Sequence, residues 1–98
     1  MSVDTPGIYR IVVRGRVQGV GFRYYTQDLA RALGIAGWVR NLPNGDVESM
    51  ARLDGTMGGR FMAGLRRGPP ASRVEDVQAT LQPPETECPQ SGFNILRY

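Results

Sequence analysis

Residues 8–33 read IYRIVVR, GRVQGVG, FRYYTQDLARAL, and the change of period inside this stretch decides the fold. In 8–14, Tyr9, Ile11 and Val13 alternate with Arg10, Val12 and Arg14. β-Branched and aromatic residues at period two predict a strand with one apolar face. Residues 15–21 hold three glycines, Gly15, Gly19 and Gly21, and read as a loop. From 22 to 33 the period becomes helical, with Phe22, Tyr25, Leu29, Ala32 and Leu33 on one side. Gly34 stands where a C′ glycine ends a helix. The stretch is therefore strand, glycine loop, helix.

Working outward, residues 35–41 (IAGWVRN) predict a second strand, and Leu42-Pro43-Asn44-Gly45 a turn. Asn-Gly is the strongest short hairpin signal. Residues 46–53 alternate, with Val47, Ala51 and Leu53 on one face and Glu48, Met50 and Arg52 on the other. That is a half-buried third strand. Residues 56–66 predict a second helix with Phe61, Met62 and Leu65 as core contacts. Gly58, Gly59 and Gly64 weaken it, each by ~0.5–1 kcal/mol relative to alanine. Gly68-Pro69-Pro70 ends that helix. Residues 73–81 predict a fourth strand with Val77, Ala79 and Leu81 alternating, 83–92 a polar loop, and 93–98 a short last strand. Phe22 and Trp38 read as core. The order β-α-β-β-α-β plus a C-terminal strand is the ferredoxin-like arrangement. It implies an α+β sandwich, two helices on one face of an antiparallel sheet. At 98 residues, 1–98 is expected to be a single domain.

Composition excludes several chemistries. The chain has no histidine, its twelve basic residues are all arginine, and Cys88 is its one cysteine. Without histidine there is no Ser-His-Asp triad and no histidine ligand for zinc. Without lysine there is no Walker-A loop and no Schiff base. One thiol makes neither an internal disulfide nor a multi-thiolate metal site. Cys88 does not head a Cys-x5-Arg phosphatase motif, because the sixth residue on is Asn94. The net charge of +3 suggests anionic partners, but the arginines do not cluster, Arg66-Arg67 being the only adjacent pair, and most of them read as a mildly basic surface. Residues 1–7 lack the basic and apolar regions of a signal peptide, and no apolar run reaches membrane-span length. The expectations are a cytoplasmic protein, no membrane, and a monomer.

The loop at 15–21 is the first candidate site. Glycines let consecutive amides turn inward as a nest, and a helix N-terminus behind them favours an anion. Arg23, on the first helical turn, can reach back over the same anion and bind phosphate oxygens bidentately. The spacing of Gly15, Gly19 and Gly21 is not that of a dinucleotide fingerprint.

The full string Gly15-Arg16-Val17-Gln18-Gly19-Val20-Gly21-Phe22-Arg23 resembles the G-x-V-Q-G-V-x-F-R signature of the acylphosphatase family. Gly37-Trp38-Val39-Arg40-Asn41, followed by Asn44-Gly45-Asp46-Val47-Glu48, is similar to that family's second signature, G-W-V-x-N before a glycine-bearing turn. The resemblance covers nearly the whole chain. It implies an acylphosphatase-like sandwich and an enzyme that hydrolyses the carboxyl–phosphate bond of acyl phosphates. It implies that Arg23 holds the phosphate and that Asn41 orients the water. The backbone at Gly15, Arg16, Val17, Gln18, Gly19 and Val20 matches the family's phosphate cradle. Gly21 stands at the motif's variable position.

The implied chemistry suits these residue types. The leaving group of an acyl phosphate is a carboxylate, which departs without a general acid. Phosphoryl transfer is catalysed mainly by positioning and charge stabilisation. No cofactor, no metal and no covalent intermediate are expected, and inorganic phosphate or sulfate should inhibit. The alternative is a binding module on the same fold, such as an RNA reader. Such a reader would resemble K/R-G-F/Y-G/A-F-V-x-F/Y on a central strand, and residues 9–14 and 50–53 contain no such pattern, so no nucleic-acid partner is expected.

Overall fold

Tyr9, Ile11 and Val13 are buried while Arg10 and Arg14 are exposed, so the first strand, Gly7–Arg16 (β1), has the one apolar face its alternation predicts. The computed structural model describes residues 3–97. After β1 come helix Phe22–Ala32 (α1), strands Gly37–Asn41 (β2) and Val47–Leu53 (β3), helix Gly55–Arg67 (α2), and strands Arg73–Leu81 (β4) and Phe93–Ile95 (β5). Residue 98, placed in the last strand by its sequence, lies outside the described residues.

The strands form one sheet in the order β4-β1-β3-β2-β5. β1 lies antiparallel to both β3 and β4, and β2 antiparallel to β3. The fifth strand corrects the expected antiparallel sheet: β5 runs parallel to β2, and the sheet is mixed. The 82–92 connection carries the chain from the β4 edge to the opposite edge. Arg52 anchors the crossing, its Nε donating to the carbonyl of Pro89 and its Nη2 to that of Cys88, both at 2.8 Å. At that edge the chain runs in the same direction as β2.

Both helices pack on the face of Ile11, Val13, Val39, Val47, Ala51 and Leu53. On α1 the fully buried line is Phe22, Thr26 and Ala30, whereas Ala32 is exposed. Thr26 tolerates burial because its Oγ1 donates to the Phe22 carbonyl at 2.8 Å. Tyr25 and Leu29 flank this line. Gly34, with φ +69, closes α1: its N–H donates to the Arg31 carbonyl and that of Ile35 to the Ala30 carbonyl. This pairing is a Schellman motif.

The glycines of α2 divide into two kinds. A Cβ on Gly64 would stand 2.4 Å from Cδ2 of Leu29, and the Tyr25 hydroxyl donates to the Gly64 carbonyl at 2.7 Å. Gly64 is thus where the two helices meet. Gly59 is exposed, and beyond its chain neighbours and the backbone of its own helix no described atom lies within 4 Å of where its Cβ would be. Gly59→Ala should therefore stabilise the fold by ~0.5–1 kcal/mol, by restricting the unfolded chain. Urea unfolding checks it, and an unchanged or lower midpoint would contradict the packing described.

The other face of the sheet is charged. Glu48 is 4% exposed, its carboxylate accepting from Nε of Arg10 at 2.5 Å and Nε of Arg40 at 2.6 Å. Trp38 also lies on this face, half-buried, with Arg40 over its ring at 5.3 Å. The core reading of Trp38 is therefore corrected. Val39 and Asn41 take the helix-covered side of β2, and alternation sends Trp38 to the other.

Candidate active site

The site forms where β1 gives way to α1. β1 continues two residues past its expected end, with a register shift between Arg14 and Gly15. Gly15 has φ +129, and a Cβ there would stand 2.1 Å from the carbonyl oxygen of Arg73. No other residue fits that approach. Val17 then plugs into the core, 1% exposed. Gln18 turns away from the helix and spans to the β2–β3 hairpin, its Nε2 donating to the carbonyls of Leu42 at 2.7 Å and Asp46 at 2.9 Å. One side chain thus fixes the glycine loop against the turn that follows Asn41.

Gly21 caps α1 in a left-handed conformation, φ 77 and ψ 21, and supplies no side chain to the helix end. The first helical bond runs from the Tyr25 N–H to the Gly21 carbonyl. The amides of Phe22, Arg23 and Tyr24 precede it and lack intrahelical partners. The first turn carries no acidic residue. A helix end with free amides and no built-in anion attracts an external one.

A cavity of about 150 Å³ opens there, lined by Val17, Gly19, Gly21, Phe22, Arg23, Tyr24 and Asn41. The structure thus brings together Arg23, Asn41, Val17 and Gly19 of the expected site residues. Arg23 is half-buried, and among the described residues it has neither an ion pair nor a side-chain hydrogen bond. Asn41, at the end of β2, is likewise half-buried with its amide uncommitted among the described residues. The remaining expected residues stand back from the cavity. Gly15 and Arg16 belong to β1, opposite Val74 and Arg73. Gln18 faces the hairpin, and Val20 packs against the core.

Gly21, Phe22 and Tyr24 line the cavity although the sequence reading gave them no binding role. The signal for Tyr24 is its place beside Arg23 and off the apolar line of α1. Its hydroxyl accepts from Nη2 of Arg97 at 2.7 Å. That bond, then the charge of Arg97, then that of Arg23, hold the phenol below its usual pKa.

Elsewhere the chemistry is less favourable for an anion. A larger concavity of about 420 Å³ runs along β4 beside Arg66, but Glu75 and Asp76 line it. Burial pushes the Cys88 thiol up, against the charge of Arg52, which leaves it a weak nucleophile at neutral pH. Among the described residues no cluster of three or more Cys, Asp or Glu could hold a metal ion, and no helix is long and apolar enough to cross a membrane.

Comparison with known proteins identifies the family. The Acylphosphatase family model matches residues 9–95. An acylphosphatase of Acaryochloris marina is 47% identical over 88 residues, 90% of this chain and 91% of its own. One from Paraburkholderia xenovorans is 52% identical over 69 residues, 70% of this chain and 71% of its own. The crystal structure of the Bacillus subtilis acylphosphatase superposes with a TM-score of 0.82 at 38% identity, covering 91% of this chain and 97% of that one. A match of this length, with the fold shared throughout, shows that the chain belongs to the acylphosphatase family of hydrolases.

Proposed function

We propose that the chain hydrolyses acyl phosphates to a carboxylate and inorganic phosphate in the cavity at the α1 N-terminus. One observation carries the reading. The uncapped end of α1 and Arg23, which has no ion pair among the described residues, face one small cavity that Asn41 also lines. The phosphate sits against the loop at Val17 and Gly19, where the Gly15–Val20 segment meets the cavity, and against the first amides of α1, with Arg23 over its oxygens. Amides and guanidinium aimed at the equatorial oxygens stabilise the charge that builds in the transition state.

Asn41 holds the attacking water through its amide. An amide is no base, so the water's proton passes to an oxygen of the substrate's own phosphate. The water oxygen bonds to phosphorus, the bond from phosphorus to the acyl oxygen breaks, and the carboxylate leaves unprotonated. No serine, threonine or cysteine lines the cavity among the described residues, and the hydroxyl that does, that of Tyr24, is engaged by Arg97. That favours direct attack by water over a covalent intermediate. The reading extends to a monomer in the cytoplasm. A lone cysteine asks for no oxidising compartment.

Phosphate and sulfate should occupy the cavity and inhibit competitively. A phosphate titration followed by amide NMR should shift the signals of Gly19, Gly21, Phe22 and Arg23 first. Shifts confined to β4, or inhibition that excess substrate does not relieve, would count against the cradle.

A further inference from the structure

A cavity of about 150 Å³ suits a small anion but not the group attached to it. Clefts that enclose whole drug-sized ligands run to roughly 300–1,000 Å³. With the phosphate inside, the acyl group must lie across the rim. Tyr24 is part of that rim: it lines the cavity yet is 52% exposed.

Arg97, in the segment after β5, is folded back onto this ring. Its Nη2 donates to the Tyr24 hydroxyl at 2.7 Å, and its Cζ lies 5.7 Å from the ring centroid. Hydroxyl and π-face together hold the guanidinium at the mouth of the site. Both are uncharged, and no carboxylate among the described residues pairs with Arg97. A guanidinium has five N–H donors, and this bond takes one. Tyr24, on which Arg97 rests, and Arg23 both line the cavity. A positioned cation with spare donors beside an anion site is a receptor for a second anionic group.

We propose that Tyr24 and Arg97 form the acyl-group subsite, Tyr24 giving it an apolar wall and Arg97 taking a carboxylate borne by the acyl group. The substrate class so favoured is the acyl phosphate with a second carboxylate several bonds from its acyl carbon. The bond changes are those of the hydrolysis above, with a dicarboxylate as the organic product. The inference rests on the phosphate lying in the cavity, as proposed.

The test compares kcat/KM for 4-carboxybenzoyl phosphate and benzoyl phosphate, which differ in one carboxylate. The wild type should favour the carboxylated substrate roughly tenfold, the lower range for a charged hydrogen bond because the site is open to solvent. In Arg97→Gln the ratio should fall toward one. Arg97→Lys, which keeps the charge but not the fork, should retain part of it. Tyr24→Phe, which removes the acceptor that holds the guanidinium, should also lower it. Taking ratios across variants cancels the difference between the leaving groups. A ratio equal in wild type and Arg97→Gln would overturn the subsite, and so would a loss of the same size on both substrates, which would place Arg97 on the phosphate instead. If the wild type hydrolyses neither compound, the acylphosphatase reading itself fails and the subsite with it.

Discussion

Replacing Arg23 with lysine should lower kcat/KM for an acyl phosphate by roughly 10²–10³-fold and weaken inorganic phosphate binding as well. Loss of one preorganised donor at a developing anion costs about 2.7–4 kcal/mol. The guanidinium is proposed to contact phosphate oxygens in both the bound substrate and the transition state, so both KM and kcat should suffer. Lysine keeps the charge but presents a point donor in place of a planar fork. If the fork matters, Arg23→Lys stays close to Arg23→Gln in its losses. Stability should change little, because Arg23 makes no ion pair or side-chain hydrogen bond among the described residues. Steady-state kinetics with thermal melting separates these effects. Wild-type hydrolysis by Arg23→Lys would show that charge alone suffices, and wild-type hydrolysis by Arg23→Gln would remove Arg23 from the mechanism.

Asn41→Ala should lose most of its turnover while binding phosphate almost normally. Its amide is proposed to act on the water, not on the phosphoryl oxygens. A fall confined to kcat, on the order of 10²-fold or more, is the pattern of an interaction made chiefly in the transition state. The variant should fold, since β2 is held by backbone pairing to β3 and β5, and the Asn41 side chain contributes no hydrogen bond among the described residues. Near-normal kcat, or a phosphate affinity that falls in step with kcat, would assign Asn41 another role.

The legible parts of the fold are those where a local period or a turn residue speaks for itself. The alternation of Tyr9, Ile11 and Val13, the Asn44-Gly45 turn and the closing Gly34 each name their structure from neighbours in sequence. What was hidden depends on partners distant in the chain. Thr26 is fully buried although polar, because its hydroxyl is satisfied within its own helix. Gly64 looks like a helix weakness until Leu29 is placed against it. Glu48 looks like a solvated strand residue until Arg10 and Arg40 close over it from two other strands. β5 runs parallel to β2 because of where the 82–92 connection lands, which no local pattern encodes.

The site divides in the same way. Arg23 and Asn41 were named through two motifs, and the fold sets both on one cavity although they come from a helix and a strand. Gln18 stands in the first motif, and what its side chain does there, tying the loop to the hairpin by two hydrogen bonds, depends on residues 24 and 28 positions away. Tyr24 carried only its place beside Arg23 and off the apolar line of α1, because its meaning depends on Arg97, 73 positions away.

The most direct measurement is release of phosphate from benzoyl phosphate by the purified chain in excess EDTA, beside 4-nitrophenyl phosphate as a monoester control. A carboxylate leaves unaided, and the proposed machinery is amides, one guanidinium and one carboxamide. The account therefore predicts rapid hydrolysis of the acyl phosphate, undiminished by the chelator, and negligible hydrolysis of the monoester. A chain inert toward benzoyl phosphate, or one whose activity vanishes in EDTA and returns with a divalent ion, would contradict it.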